Sequence, residues 1–237
     1  MTGKIDFLYR KTRSVFYLLL NIIVYIFYLP FIRYSNLKIS KDFSRDQIIN
    51  YLLKKDKLKN PIYLEIGCDL NQTFSKVNSK DKIGIDPVRG GNIRLNSERY
   101  FNTYSENMHD VIFIDGSHLI EEVYFDTIKS LTSLNLGGYI LLDDVLPNNS
   151  INSFRKRCTL HSYQDAFKIL FFLNTLDFIE LYLLPYDHGM ALVKLINDVN
   201  LDKLNFNFKN ISFSSYVSLL PELNHINLTQ IQDLDNL

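Results

Sequence analysis

The chain has 237 residues, 46% hydrophobic and 22% charged, which is ample for one large core and excludes a disordered chain. Lys plus Arg and Asp plus Glu both number 26, so the basic excess of a nucleic-acid-binding protein is missing. Cys68 and Cys158, outside any CxxC pair, exclude a disulfide framework and read as reduced thiols of a cytosolic compartment.

Residues 14–32, SVFYLLLNIIVYIFYLPFI, form an uncharged apolar run preceded by Lys4, Arg10, Lys11 and Arg13. The run is near the lower length limit for crossing a bilayer, and it is too long for the core of a cleavable signal peptide. A buried core helix is the bland alternative. Ser14, Tyr17, Asn21, Tyr25 and Tyr28 recur every three or four residues and would form one mildly polar stripe on a helix. Arg33, Lys38, Lys41 and Arg45 follow the run, so flanking charge does not set an orientation. The preferred expectation is a membrane-associating segment, residues 1–36, lying in or re-entering the cytoplasmic face of a membrane.

From about residue 42 helical and strand-like pieces alternate. A helix is expected over 43–55, strands over 62–67 and 82–87, a short helix over 71–79, and a third strand over 92–97. DVIFIDG (110–116) reads as a strand ending in Asp-Gly, residues 118–134 as a helix, and LGGYILLDD (136–144) as a strand after a glycine turn. A further helix covers 162–174. Strands 178–186 and 189–196 are joined by so short a turn that they must be antiparallel. The pattern predicts an α/β fold: a Rossmann-like, mostly parallel sheet with an antiparallel last strand, preceded by an apolar N-terminal helix. The domain spans 37–198, and 199–237 is an Asn- and Leu-rich extension that either packs on the core or forms a lid.

In such a sheet ligands bind beyond the carboxyl ends of the strands. Four predicted strand ends carry acids: Glu65 before Gly67, Asp86, Asp115 before Gly116, and Asp143 with Asp144. Helix capping accounts for one such acid more easily than for four on one rim. Asp115, Asp143 and Asp144 are hard oxygen donors that suit Mg²⁺, Mn²⁺ or Ca²⁺ rather than Zn²⁺.

The succession EIGCDLNQT, IDP, FIDGSH and LGGYILLDD resembles the class I S-adenosylmethionine-dependent methyltransferases over residues 60–196, above all the group with Asp-Gly-x-His. The acids also resemble the metal ligands of catechol-type and antibiotic-sugar O-methyltransferases. The resemblance implies that Glu65 and Gly67 approach the methionine part of S-adenosylmethionine, that Asp86 holds its ribose hydroxyls, and that Asp115 touches the cofactor. It implies Mg²⁺ on Asp115, Asp143 and Asp144, and a proton-accepting base at His118. The chain departs from the pattern at Asn71, where a glycine is usual, and at Asp144, where the catechol-type enzymes have Asn. A helix-start role for His118 and a rival base at His188 stay open.

The expected activity is therefore metal-assisted O-methylation of a small-molecule or saccharide hydroxyl by an enzyme on the inner face of a membrane. A same-fold enzyme with other chemistry, such as a metal-assisted hydroxylase, and a non-catalytic membrane-associated cofactor-binding module are the alternatives. A dinucleotide dehydrogenase is disfavoured, because no GxGxxG follows the first strand.

Overall fold

The computed structural model describes residues 2–55, 60–159, 161–227 and 230. The end of the C-terminal extension lies outside the described residues, as do the side chains of Lys4, Arg10, Lys11, Arg13, Ser14 and Asn21. Seven strands form one sheet: β1 (Ile62–Ile66), β2 (Asp81–Ile85), β3 (His109–Ile114), β4 (Leu134–Leu142), β5 (Ile179–Leu184), β6 (Met190–Leu195) and β7 (Asn224–His225). Their spatial order is β2-β1-β3-β4-β6-β5-β7. The first four strands pair in parallel, and β6 runs antiparallel to both β4 and β5. This is the expected Rossmann-like sheet.

Both faces of the sheet are covered, which is why its strands read as almost unbroken apolar runs. Along β3, Val111 and Phe113 join Ile48, Ile49 and Leu52 of α2 (Arg45–Leu52) on one face. Ile112 and Ile114 point the other way. There they join Tyr100 of α3 (Ser97–Thr103), Val123 of α4 (Ile120–Thr132) and Leu170 of α5 (Ile169–Leu173). The extension packs on this second face through Phe213, Tyr216 and Leu219 of α6 (Phe213–Leu219), and it adds β7 to the sheet edge.

The structure corrects two expected elements. Residues 92–97 are not a strand: Ile93 makes a single bridge to Ile85, and α3 begins at Ser97, where Asn96 caps the helix by accepting from the Arg99 amide. Only Phe74–Lys76 of the 71–79 segment is helical, as one 3₁₀ turn.

The N-terminal helix α1 (Thr2–Tyr28) is not a core helix. Three of its tyrosines touch the body: the Tyr25 hydroxyl accepts from Asn149 at 3.0 Å, the half-exposed Tyr28 stacks edge-on against Phe154, and Arg157 sits over the Tyr17 ring. The apolar side faces away, with Phe16, Leu19, Ile23, Ile26 and Phe27 exposed. Among the described residues no helix is long and apolar enough to cross a membrane.

Candidate functional site

The chain order reverses at β1, with β2 on one side and β3 on the other, and an open sheet has its crevice at such a switch point. The Gly67 amide donates to Ile85 O of β2, and the Asp115 amide donates to Ile66 O. This brings the β1 and β3 exits into backbone contact. Gly67 has φ +92°, and a Cβ there would meet the Asp115 carbonyl oxygen at 2.3 Å. Only glycine combines that conformation with that approach. Asn71, at the departing glycine position, has φ +61°, and its Oδ1 accepts from the Gly91 amide at 2.6 Å. The side chain thus earns its place by tying two loops together.

A cleft of about 1320 Å³ opens above these exits. Glu65, Gly67, Asp69, Asp115, Gly116, Ser117, His118 and Asp144 line it together, joined by Arg45 and by Asp187 and His188 from the β5–β6 turn. The structure therefore gathers Glu65, Gly67, Asp115, His118 and Asp144 around one space, with Asp143 beneath, its side chain fully covered. Asp86 is the exception. One of its oxygens accepts from the amides of Val88 and Arg89, the other from that of Asp69. It does not line the cleft; it holds the two loops that do. Asp86 is thus bound to loop amides, not to a helix start.

Sequence reasoning missed Arg45. It stands at the start of α2, whose capping box is Ser44 with Gln47. From there its guanidinium enters the acid cluster. Nη1 donates to Asp115 at 2.6 Å and touches Asp143, Nε donates to Asp187 at 2.9 Å, and Nη2 meets His188 Nδ1 at 2.6 Å. Burial opposes the charge, but Asp143, Asp115 and Asp187 together hold the guanidinium more firmly protonated than usual. These partners are 70 to 143 residues away in the chain, so no local pattern marks them. The available signal was a deficit: buried carboxylates need a cation, and a basic side chain at an adjacent helix start can supply one.

Arg45 also bears on the expected metal site. An ion between Asp115 and Asp143 would stand against a fixed like charge on the same oxygens. Among the described residues, the three donors close enough to share an ion are Asp143, Asp144 and His188, within 4.8 Å of one another. Arg45 already holds two of them. In this arrangement the residues fit an arginine and not a divalent ion, and the expected set Asp115, Asp143 and Asp144 is divided: the first two lie on Arg45, while Asp144 faces His118 and His188 at 3.6 and 3.8 Å.

Burial moves the site toward its neutral forms. Asp115 and Asp144 are raised well above the ordinary carboxylate range, first by burial and then by the charge of Asp143. Burial lifts Glu65 to about 7, although the Tyr63 hydroxyl donates to it at 2.6 Å. His118 is lowered to about 4 by burial and by Arg157 and Arg45, so its imidazole is unprotonated near neutral pH. His188 is lowered equally, by burial and by Arg45, but its Nδ1 is taken by Arg45. His118 is the less encumbered base.

The fold and cleft together define a Rossmann-like α/β domain with a polar crevice at its switch point, lined by acids and by Arg45, Lys76, Arg89 and Arg157. No family model matches the chain, and no curated protein matches it. Among solved structures it is similar to a protein from Corynebacterium glutamicum (13% identity, 68% of this chain and 84% of the other, TM-score 0.49). It is similar also to an O-methyltransferase from Bacillus cereus in complex with SAH (15%, 68% and 85%, 0.47) and to the SAH-bound methyltransferase PaMTH1 from Podospora anserina (17%, 65% and 80%, 0.43). At these identities and TM-scores the likenesses carry no argument about this chain's chemistry.

Proposed function

We propose that the protein is an S-adenosylmethionine-dependent methyltransferase acting on a hydroxyl oxygen of a small molecule or saccharide. The observation that carries this reading is the exit of β1: Glu65 and Gly67 line the cleft at the switch point, where nucleotide-binding sheets usually offer a glycine-rich, anion-seeking helix start. A sulfonium cofactor is cationic at its reacting atom and suits an acid there. When bound, that cofactor supplies an electrophilic methyl group.

The chain's own residues would bind, orient and deprotonate. Gly67 keeps the β1 exit open. Glu65, ionised when a cation lies above it, balances that charge in a partly desolvated setting where the attraction is stronger than in water. Arg45 fixes Asp115 and the β5–β6 turn in place, so the donor and the acceptor meet in one alignment. His118, unprotonated near neutral pH, takes the acceptor's hydroxyl proton. Arg45, not a bound ion, is the cation of this site.

The experiment is product formation from S-adenosylmethionine and a panel of vicinal diols, with and without a chelator. The expected result is turnover that survives chelation and falls about 10²–10⁴-fold in His118→Ala, with cofactor affinity kept. Turnover lost on chelation and restored by Mg²⁺ would transfer the cation's role from Arg45 to a metal.

A further inference from the structure

We infer that the outward face of α1 docks on an anionic lipid surface and sets the mouth of the cleft at that surface. The acceptor clause below rests on the methyl-transfer reading; the docking itself does not.

The first observation is the sidedness of the helix. Tyr17, Tyr25 and Tyr28 hold it against the body through Arg157, Asn149 and Phe154. The first and last anchors lie 11 residues apart, about 16 Å of helix at its usual rise. A helix tied down along that length lies alongside the body and presents its other side outward. That side is Phe16, Leu19, Ile23, Ile26 and Phe27, continued by Leu29 and Phe31, with Phe27 and Phe31 each 74% exposed. The usual amphipathic rule is inverted: the side chains with hydroxyls face the protein, and the aliphatic and Phe side chains face out. A contiguous apolar patch of this kind marks a contact surface.

The second observation is charge. Residues 1–41 hold seven basic residues, Lys4, Arg10, Lys11, Arg13, Arg33, Lys38 and Lys41, against one acid, Asp6, while the rest of the chain holds 19 basic residues against 25 acids. Basic groups on either side of an apolar run complement anionic headgroups around a buried apolar face. A second copy of this chain would bring the same basic flank against itself.

The third observation links the surface to the site. Tyr17 and Arg157, which anchor the helix, also line the cleft. The element that rests on lipid is thus a wall of the cleft, and an amphiphile with its tail in the bilayer can present a hydroxylated headgroup to His118 without leaving it.

Flotation of the full chain with vesicles tests this. Wild type is expected to float with vesicles of phosphatidylglycerol and phosphatidylcholine, less with phosphatidylcholine alone, and less as salt is raised. The triple variant Ile23→Gln, Ile26→Gln, Phe27→Gln is expected to lose at least about tenfold in vesicle affinity. Its calorimetric S-adenosylmethionine binding, measured in the same preparation, is expected to match wild type. Two results would overturn the inference: wild type that stays with the soluble fraction, or a triple variant that floats as wild type does. Lipid-free light scattering showing a wild-type dimer that the triple variant splits, with no vesicle binding by either, would give the face to a second copy instead. Because cofactor binding is read separately, loss of docking and loss of the methyl-transfer reading give different results.

Discussion

The cleft at the carboxyl ends of β1, β3 and β4 and the outward face of α1 break the same rule in opposite directions. In the cleft, carboxylates are buried; Asp143 has a fully covered side chain and no hydrogen bond of normal geometry to either oxygen, with Arg45 paired to it and His188 Nδ1 at 3.9 Å. On α1, large apolar side chains are left in solvent. Burying an ionised carboxylate costs several kcal/mol unless a partner offsets it, and exposing an apolar face forgoes about 25 cal/mol for each Å². On the proposed reading each departure marks a binding face: a cationic cofactor in one, an apolar surface in the other. The two regions meet at Tyr17 and Arg157.

The comparison breaks most severely at Arg45. Arg45→Met keeps the volume but strands Asp143 and Asp115, and should cost about 3–5 kcal/mol in urea unfolding near neutral pH. The loss should shrink in acid, where the carboxylates take up protons. A variant as stable as wild type would show that the cluster does not depend on this guanidinium. Gly67→Ala comes next. Backbone overpacking and a left-handed φ together predict a loss of about 3 kcal/mol, read as a lower Tm. Asp86→Ala should cost about 1–2 kcal/mol by freeing the amides of Asp69, Val88 and Arg89, and should weaken cofactor binding through the loosened loops. Asp86→Asn, which keeps an acceptor oxygen, should recover part of both; a ribose contact would instead show as lost affinity at unchanged stability.

The smallest effect is a pH dependence. Glu65 is raised to about 7 in the folded chain, above its ordinary value near 4.5. Its protonated form therefore favours the fold: that contribution is fully present below about pH 4.5 and is lost as pH rises through 7. His118 works in the other direction. Lowered to about 4, it supports the fold above its ordinary value near 6.5, and that support is lost as pH falls toward 4. Comparing thermal unfolding of Glu65→Gln and His118→Gln with wild type across this range separates the two slopes.

The two regions also differ in how far the sequence discloses them. Strands with β-period or continuous apolar runs, such as 110–114 and 137–142, declared themselves, as did the antiparallel pair around Asp187-His188-Gly189. The acids at strand ends were legible because strand polarity puts every carboxyl end on one rim. Asp86 was legible as a strand-end acid, but its bonds to the Val88 and Arg89 amides were not, because they depend on where the following loop turns. Segment 92–97 looked like a strand because Ile93 and Leu95 alternate, yet Asn96 caps a helix there. Arg45 was hidden by distance: its partners come from β3, the end of β4 and the β5–β6 turn, which only the fold brings together. For α1 the spacing gave the Tyr stripe, but which side faces protein follows from Asn149, Phe154 and Arg157, over a hundred residues on.

The most direct test of the central claim is calorimetric titration of S-adenosylmethionine into the full chain below and above pH 7. The account predicts saturable binding at one site, several-fold tighter above pH 7 than below, with the pH difference lost in Glu65→Gln. A folded protein that gives no binding heat at either pH would contradict the assignment of the cleft to a sulfonium cofactor.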